Sequence, residues 1–161
     1  CDKEGNMMQV IDCNYSECLR DQVMAFSVDP AASIPWIVRL LENSQSPFAL
    51  PGDISLFNHD CLHILLGRDR APESEAYVIG FTMGNDAKCK RIHLWIFKIF
   101  ALLFYPQKYR LRWSDLKEFD RGVTDGRQVE VKNLNQIDFS HLQDYSVREL
   151  REKFHLSSLM Q

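Results

Sequence analysis

The sequence predicts an all-α fold, a single helical domain over residues 1–161 with a metal site between two adjacent helices. Three observations predict it. Apolar residues recur at helical spacing in most segments that lie between turn signals. Helix-start signals (Ser33 with Pro35, Asp53, Pro72, Ser114, and Ser146 with Glu149) fall at intervals that suit moderate helices joined by short connections. The one alternating stretch, Gln128-Val129-Glu130-Val131-Lys132, has no second strand to pair with, so it is read as irregular or helical. With 45% hydrophobic and 25% charged residues, the 161-residue chain can bury a sizeable core.

Taken in order, residues 1–13 are polar and without periodicity and are expected to be poorly ordered. Residues 15–28 read as a helix with Leu19, Val23 and Phe26 on one stripe, ended by Asp29-Pro30. Ser33 caps a second helix with Pro35 in its first turn, running through Trp36 to Leu41. Residues 43–47 form a loop by composition, and Pro51-Gly52-Asp53 a turn. Asp53 is expected to cap a helix over residues 54–66, with Gly67 as its left-handed terminator. After a short turn, Pro72 opens a helix carrying Ala76, Gly80 and Gly84 in a row that lets another helix approach closely.

Residues 94–105 are the most hydrophobic run. As a helix it spans roughly 18 Å, short of the ~30 Å needed to cross a bilayer. It reads either as a buried core helix, the plainer account, or as one partly committed to lipid. Ser114 caps a helix to about Val123, where Asp125-Gly126 breaks it, and the Ser146–Glu149 capping box opens a last helix to about His155.

The chemistry concentrates in Asn58-His59-Asp60-Cys61-Leu62-His63. At about 100° per residue, His59, Asp60 and His63 lie near 0°, 100° and 40°, on one arc of the helix. Two imidazoles and a carboxylate on one face make a partial divalent-metal site, and Glu75, in the first turn of the next helix, is placed to close it. This donor set suits zinc first, and also manganese or iron; magnesium would need the carboxylates and waters to dominate. Cys61 points about 200° away from His59 and reads as packing, and His93, His141 and His155 stand alone. A His-x-x-x-His pair by itself also arises by chance on ordinary helices.

Five cysteines without framework spacing predict a reducing compartment, and no apolar stretch behind a basic one marks a leader near residue 1. The net charge of −3 conceals an asymmetry. Residues 87–114 hold seven basic side chains and no acidic one, leaving 12 basic against 22 acidic elsewhere. A basic block in an acidic chain points to an anionic partner or a membrane surface. Lys88, Lys90 and Arg91 stand at the N-terminal end of the apolar helix, where its dipole disfavours cations unless an outside anion compensates.

Three functional readings follow. His59-Asp60-x-x-His63 has the spacing of the zinc-peptidase His-Glu-x-x-His helix, with a shorter acid in the place of the general base. The adjacent His-Asp pair is also similar to helical metal-dependent phosphohydrolases of the HD type, although no His precedes His59 to complete that ligand set. A small metal-dependent hydrolase of either kind is thus the alternative reading. The third is a resemblance. His59-Asp60-x-x-His63, eleven residues, then Glu75 resembles the signature of the fourth-protein family of the ubiquinone-biosynthesis pathway, and the likeness extends through Leu65-Leu66-Gly67, Glu75-Ala76 and Gly80-Phe81-Thr82-Met83-Gly84. More loosely it reaches Asp138-Phe139 and Ser146-Val147-Arg148-Glu149-Leu150-Arg151.

The resemblance implies that His59, Asp60, His63 and Glu75 ligate a divalent metal. It implies an isoprenoid-binding protein, peripheral to the membrane on its cytoplasmic or mitochondrial-matrix side, that organises quinone-synthesis enzymes. It also attaches C1 decarboxylation of the prenylated ring precursor, with hydroxylation at that carbon, to such a site. Phe81, Trp95, Phe97, Phe100, Phe104, Lys88 and Arg91 are the expected lipid-binding residues. The expected partners are a prenyl lipid or prenylated quinone precursor, a membrane surface, other quinone-biosynthesis proteins and a second copy of the chain, with no nucleic acid. The sequence assigns no residue a catalytic role.

Overall fold

The computed structural model describes residues 18–27, 54–103 and 112–160. These form six α-helices: α1 (Leu19–Ser27), α2 (Leu56–Leu65), α3 (Pro72–Asn85), α4 (Arg91–Leu103), α5 (Trp113–Gln128) and α6 (Val147–Lys153), with short 3₁₀ turns between α5 and α6 and after α6. No strand occurs among the described residues, so the fold is all-α as expected. The helix expected from Ser33, the loop over 43–47 and the turn over 51–53 lie outside the described residues, as does the 1–13 segment.

Local chemistry accounts for most helix ends. Ser55, in extended conformation, caps α2 by accepting from the Asn58 N–H at 3.2 Å, so the helix starts at Leu56 rather than at residue 54. Gly67 follows α2 with φ 62°, the left-handed terminator that its position predicts. Pro72 is the first residue of α3. Ser146 and Glu149 form the reciprocal capping box of α6, the Ser146 N–H donating to Glu149 Oε2 at 2.9 Å. The start of α5 departs from expectation. Its cap residue is Arg112, whose N–H donates to Asp115 Oδ2 at 2.6 Å, and Ser114 lies inside the helix.

The larger departure is at Asp125-Gly126, which does not break α5 but lies within it. The reason is a backbone-to-backbone contact with α3. A Cβ placed on Gly80 would fall on the Phe119 carbonyl oxygen, and one on Gly84 on that of Val123. Reciprocally, a Cβ on Gly122 would meet the Tyr77 carbonyl and one on Gly126 the Phe81 carbonyl. Numbering rises together along both helices, so α3 and α5 run parallel, with α4 between them in the chain. The row of small residues on α3 thus serves α5, not the His-bearing helix. Asp125, far from ending the helix, accepts from the Tyr77 hydroxyl at 2.7 Å.

Beyond this contact the polar ends are tied. The buried Asn85 amide donates to Gly126 O (3.2 Å) and Val131 O (2.7 Å) and accepts from the Leu134 N–H (2.8 Å). Lys132 Nζ donates to the carbonyls of Arg127 (2.7 Å) and Val129 (2.6 Å), a cationic stop at the end of α5. These bonds hold residues 129–133 in irregular structure rather than in a strand.

Two apolar clusters fill the interior. One joins Leu19 and Val23 of α1, Leu62 and Leu65 of α2, Tyr77 and Phe81 of α3, and Leu134, Phe139 and Leu150 further on. The other joins Ala76, Ile79 and Met83 of α3 to Phe97 and Ala101 of α4 and Phe119 and Val123 of α5. The apolar α4 is therefore divided: Phe97 and Ala101 turn inward, while Ile92, Trp95 and Ile99 are exposed. No helix among the described residues is long and apolar enough to cross a membrane.

Gly80→Ala provides a sign test of the parallel contact. In an exposed helix this change raises stability by up to about 1 kcal/mol. Here the methyl group collides with backbone, and urea denaturation is expected to show a loss of about 1–3 kcal/mol. A neutral or stabilised variant would contradict the contact.

Candidate metal centre

The centre is built on α2, whose residues from His59 to Leu65 are all buried. Both ends of this helix are fixed from the C-terminal part of the chain. The Asn58 amide donates to Ile137 O at 2.8 Å, and Arg151 of α6 donates to the Leu65 and Ile64 carbonyls, both at 2.9 Å. One helical turn separates His59 from His63, and their ring centroids lie 4.7 Å apart. The Phe26 ring of α1 backs His63 at 5.4 Å.

Glu75, in the first turn of α3, reaches across to both imidazoles. His63 Nε2 is 3.3 Å from Glu75 Oε1, and His59 Nε2 is 3.7 Å from Oε2. One ligand atom from each of the three residues lies within 4.8 Å of the others. Two donors held ~2.1 Å from a tetrahedral ion are about 3.4 Å apart, so the His–Glu separations already approximate a coordination edge.

The hydrogen-bonding state of the group points the same way. His59 Nε2 and both ring nitrogens of His63 are buried without a hydrogen-bond partner; the approach to Glu75 is close but not directed. Each such atom costs about 1–3 kcal/mol if left unsatisfied. Burial, then the neighbouring His63, pushes the His59 imidazole down to about 4, with Arg70 adding to the effect and Glu75 opposing it. The ring is therefore neutral near pH 7, with a lone pair available to a cation. For Glu75, burial works against ionisation, but the facing His63 and His59, with Arg70, outweigh it and hold the carboxyl below its ordinary range. Two imidazole nitrogens and one carboxylate suit a divalent ion such as zinc.

Of the four expected ligands, three converge and Asp60 does not join them. It is buried, and its Oδ2 accepts from Arg70 Nη2 at 3.3 Å. Arg70 in turn lies over the Phe26 ring, its Cζ 4.2 Å from the centroid. Helical periodicity places Asp60 on the right arc but cannot foresee a guanidinium that arrives from the turn between α2 and α3. Cys61 is packed in the core, and burial, with Asp60 beside it, pushes its thiol up to about 12.

Of the expected lipid-binding residues that the structure describes, two lie in the interior and three at the surface. Phe81 is fully buried in the first cluster, and Phe97 is stacked on Phe119 with centroids 4.8 Å apart, so both are occupied by the protein's own packing. Trp95 is 66% exposed, and Lys88 and Arg91 are exposed. Phe104 and the Phe100 side chain lie outside the described residues. A groove of ≈ 380 Å³ does run between α4 and α5, lined by Arg91, Leu94, Trp95, Lys98, Asp120 and Thr124 among others. No residue of the His-His-Glu group belongs to it. No family model, curated protein or solved structure matches the chain.

The depressed His59 makes the stability of the metal-free protein pH-dependent. The unfolded chain protonates this imidazole near 6.5 while the folded one resists until about 4. Between those values the unfolded state binds more protons, so stability rises with pH and falls on acidification. From pH 7 to pH 5 the loss is about 2 kcal/mol from this group. Urea midpoints measured with chelator present should show it, and His59→Gln should flatten the slope; an unchanged slope would contradict the burial argument.

Proposed function

We propose that this chain is a divalent-metal-binding helical protein of the ubiquinone-biosynthesis type, which holds its ion on His59, His63 and Glu75 and meets an isoprenoid lipid or prenylated ring precursor. The observation that carries the metal part is the convergence of three buried donor groups, two of them imidazoles with unpartnered nitrogens. The pathway assignment is supported by the His-Asp-x-x-His, eleven-residue, Glu spacing in the sequence. An ion in this position supplies Lewis acidity toward an oxygen ligand. The chain's own residues supply the donors and exclude water from the His59 and His63 side.

The lipid part draws on a different surface. Ile92, Trp95 and Ile99 recur at helical spacing on the outer side of α4, and Lys88, Lys90 and Arg91 are exposed at its start. An apolar stripe led by cations fits an anionic amphiphile or an anionic bilayer surface. It would place the protein at a membrane face beside other quinone-synthesis proteins. Decarboxylation of a prenylated precursor at C1 is the reaction proposed for the metal site.

A metal-dependent hydrolase is the second reading, favoured by one observation: two His and one Glu leaving a side open is a donor set of zinc hydrolases. The pairing of Asp60 with Arg70 weighs against it, because the acid in the general-base position is already engaged.

Native mass spectrometry of the purified protein tests the proposal. We expect one divalent ion per chain and an extractable isoprenoid. Glu75→Gln, at a side chain 22% exposed, should keep the helical signal and weaken zinc binding by about tenfold or more. His63→Ala should abolish binding. Unchanged zinc affinity in both variants would refute the metal assignment, and metal without any isoprenoid would favour the hydrolase.

A further inference from the structure

The signature residues account for the donors of the metal site but not for Arg70, whose position is set by two other groups. Its Nη2 donates to Asp60 Oδ2 at 3.3 Å, and its guanidinium lies over the Phe26 ring, which also backs His63. Its charge acts on both His59 and Glu75. Nε of Arg70 is nevertheless buried without a hydrogen-bond partner, like His59 Nε2 and the His63 nitrogens. Arg70 therefore stands within electrostatic reach of the metal centre with one donor unmatched.

Exposure shows from which side that centre is reached. The His59 and His63 side chains are 6% and 0% exposed, whereas those of Glu75 and Arg70 are both 22% exposed. The imidazoles are thus the enclosed floor of the group, and Glu75 and Arg70 are its solvent-exposed members. Charge then limits what can enter. With a divalent ion present, two neutral imidazoles, the Glu75 and Asp60 carboxylates and the Arg70 guanidinium leave one net positive charge in a poorly solvated space. A single negative charge balances it, while a dianion such as hydrogen phosphate overshoots. Three protein donors leave a tetrahedral ion one open position, and a carboxylate that fills it with one oxygen keeps a second to accept from a guanidinium N–H.

We propose that Arg70 is the anion-selecting residue of this site, receiving one oxygen of a small-molecule carboxylate on the solvent-exposed side of the histidine floor. The proposal rests on the metal reading of the site and deepens it by naming the ligand's charged group and the residue that selects it. Arg70 donates from the Nε that has no protein partner. Its pairing with Asp60 and its stacking on Phe26 fix the guanidinium before the ligand arrives, which lowers the ordering cost of binding.

Cobalt-loaded protein tests this through the visible absorption of the ion, with acetate and azide as probes. Azide carries the same charge but offers no second oxygen. In Arg70→Met and Arg70→Gln, cobalt uptake should persist and both monoanions should bind more weakly for want of the charge, acetate by about tenfold or more and azide by a clearly smaller factor because it loses no N–H···O bond. Unchanged acetate affinity, or equal losses for acetate and azide, would overturn the assignment while leaving the metal site intact. Absence of a cobalt spectrum in the unaltered protein would sink the metal reading and this proposal with it. Circular dichroism separates misfolding from lost binding: if both variants lose their helical signal, Arg70 belongs to the fold and the proposal fails.

Discussion

Where Gly80 and Gly84 of α3 meet Gly122 and Gly126 of α5, each backbone occupies the volume that a side chain of the other would need. Few contacts constrain a helix more, because neither partner can slide or rotate without driving a Cα into a carbonyl. Once α3 is fixed in this way, its remaining surface is fixed as well. Glu75 precedes Gly80 by five residues and Gly84 by nine, which puts it about 140° and 180° round the helix from them. The carboxylate is thereby turned away from α5 and toward α2. The glycine contact on one side of α3 and the metal-site contact on the other are two consequences of a single orientation.

The energetics of the site turn on what is buried without a partner. Near neutral pH the two imidazoles are deprived of water and receive no directed hydrogen bond in return. A structural core would ordinarily avoid that, by protonating a ring to pair with Glu75 or by supplying a carbonyl to each N–H. Burial and the mutual proximity of the rings oppose protonation of His59. A cation satisfies the nitrogens and the carboxylate together, which is why the metal reading accounts for more of the geometry than a packed histidine pair does. The Asp60–Arg70 pair beside the group is held against Phe26, so the acid is engaged even though its helix face is favourable.

How much of this was legible in the sequence depended on the range of the interaction. Local signals were readable: Pro72 at a helix start, Gly67 in the left-handed conformation, and the Ser146–Glu149 box all report on neighbours within a turn. The His59, His63 and Glu75 convergence was readable because one helix face and one short connection determine it. What could not be read were contacts between segments distant in the chain. Gly126 looked like a helix breaker because its helical role is visible only beside Phe81. Phe81 and Phe97 looked available to a ligand because an apolar helix does not declare which of its faces another helix covers. Asp60 looked like a donor because angular position says nothing of Arg70, which the α2–α3 turn carries in.

The central claim is that one divalent ion sits on two imidazoles and one carboxylate drawn from adjacent helices. X-ray absorption at the zinc edge of the zinc-loaded protein tests it most directly, since it counts and identifies the donors without reference to activity. The account predicts nitrogen and oxygen scatterers at about 2.0–2.1 Å with the outer-shell pattern of two imidazoles. Sulfur at about 2.3 Å, or a shell of oxygen alone without imidazole, would contradict it.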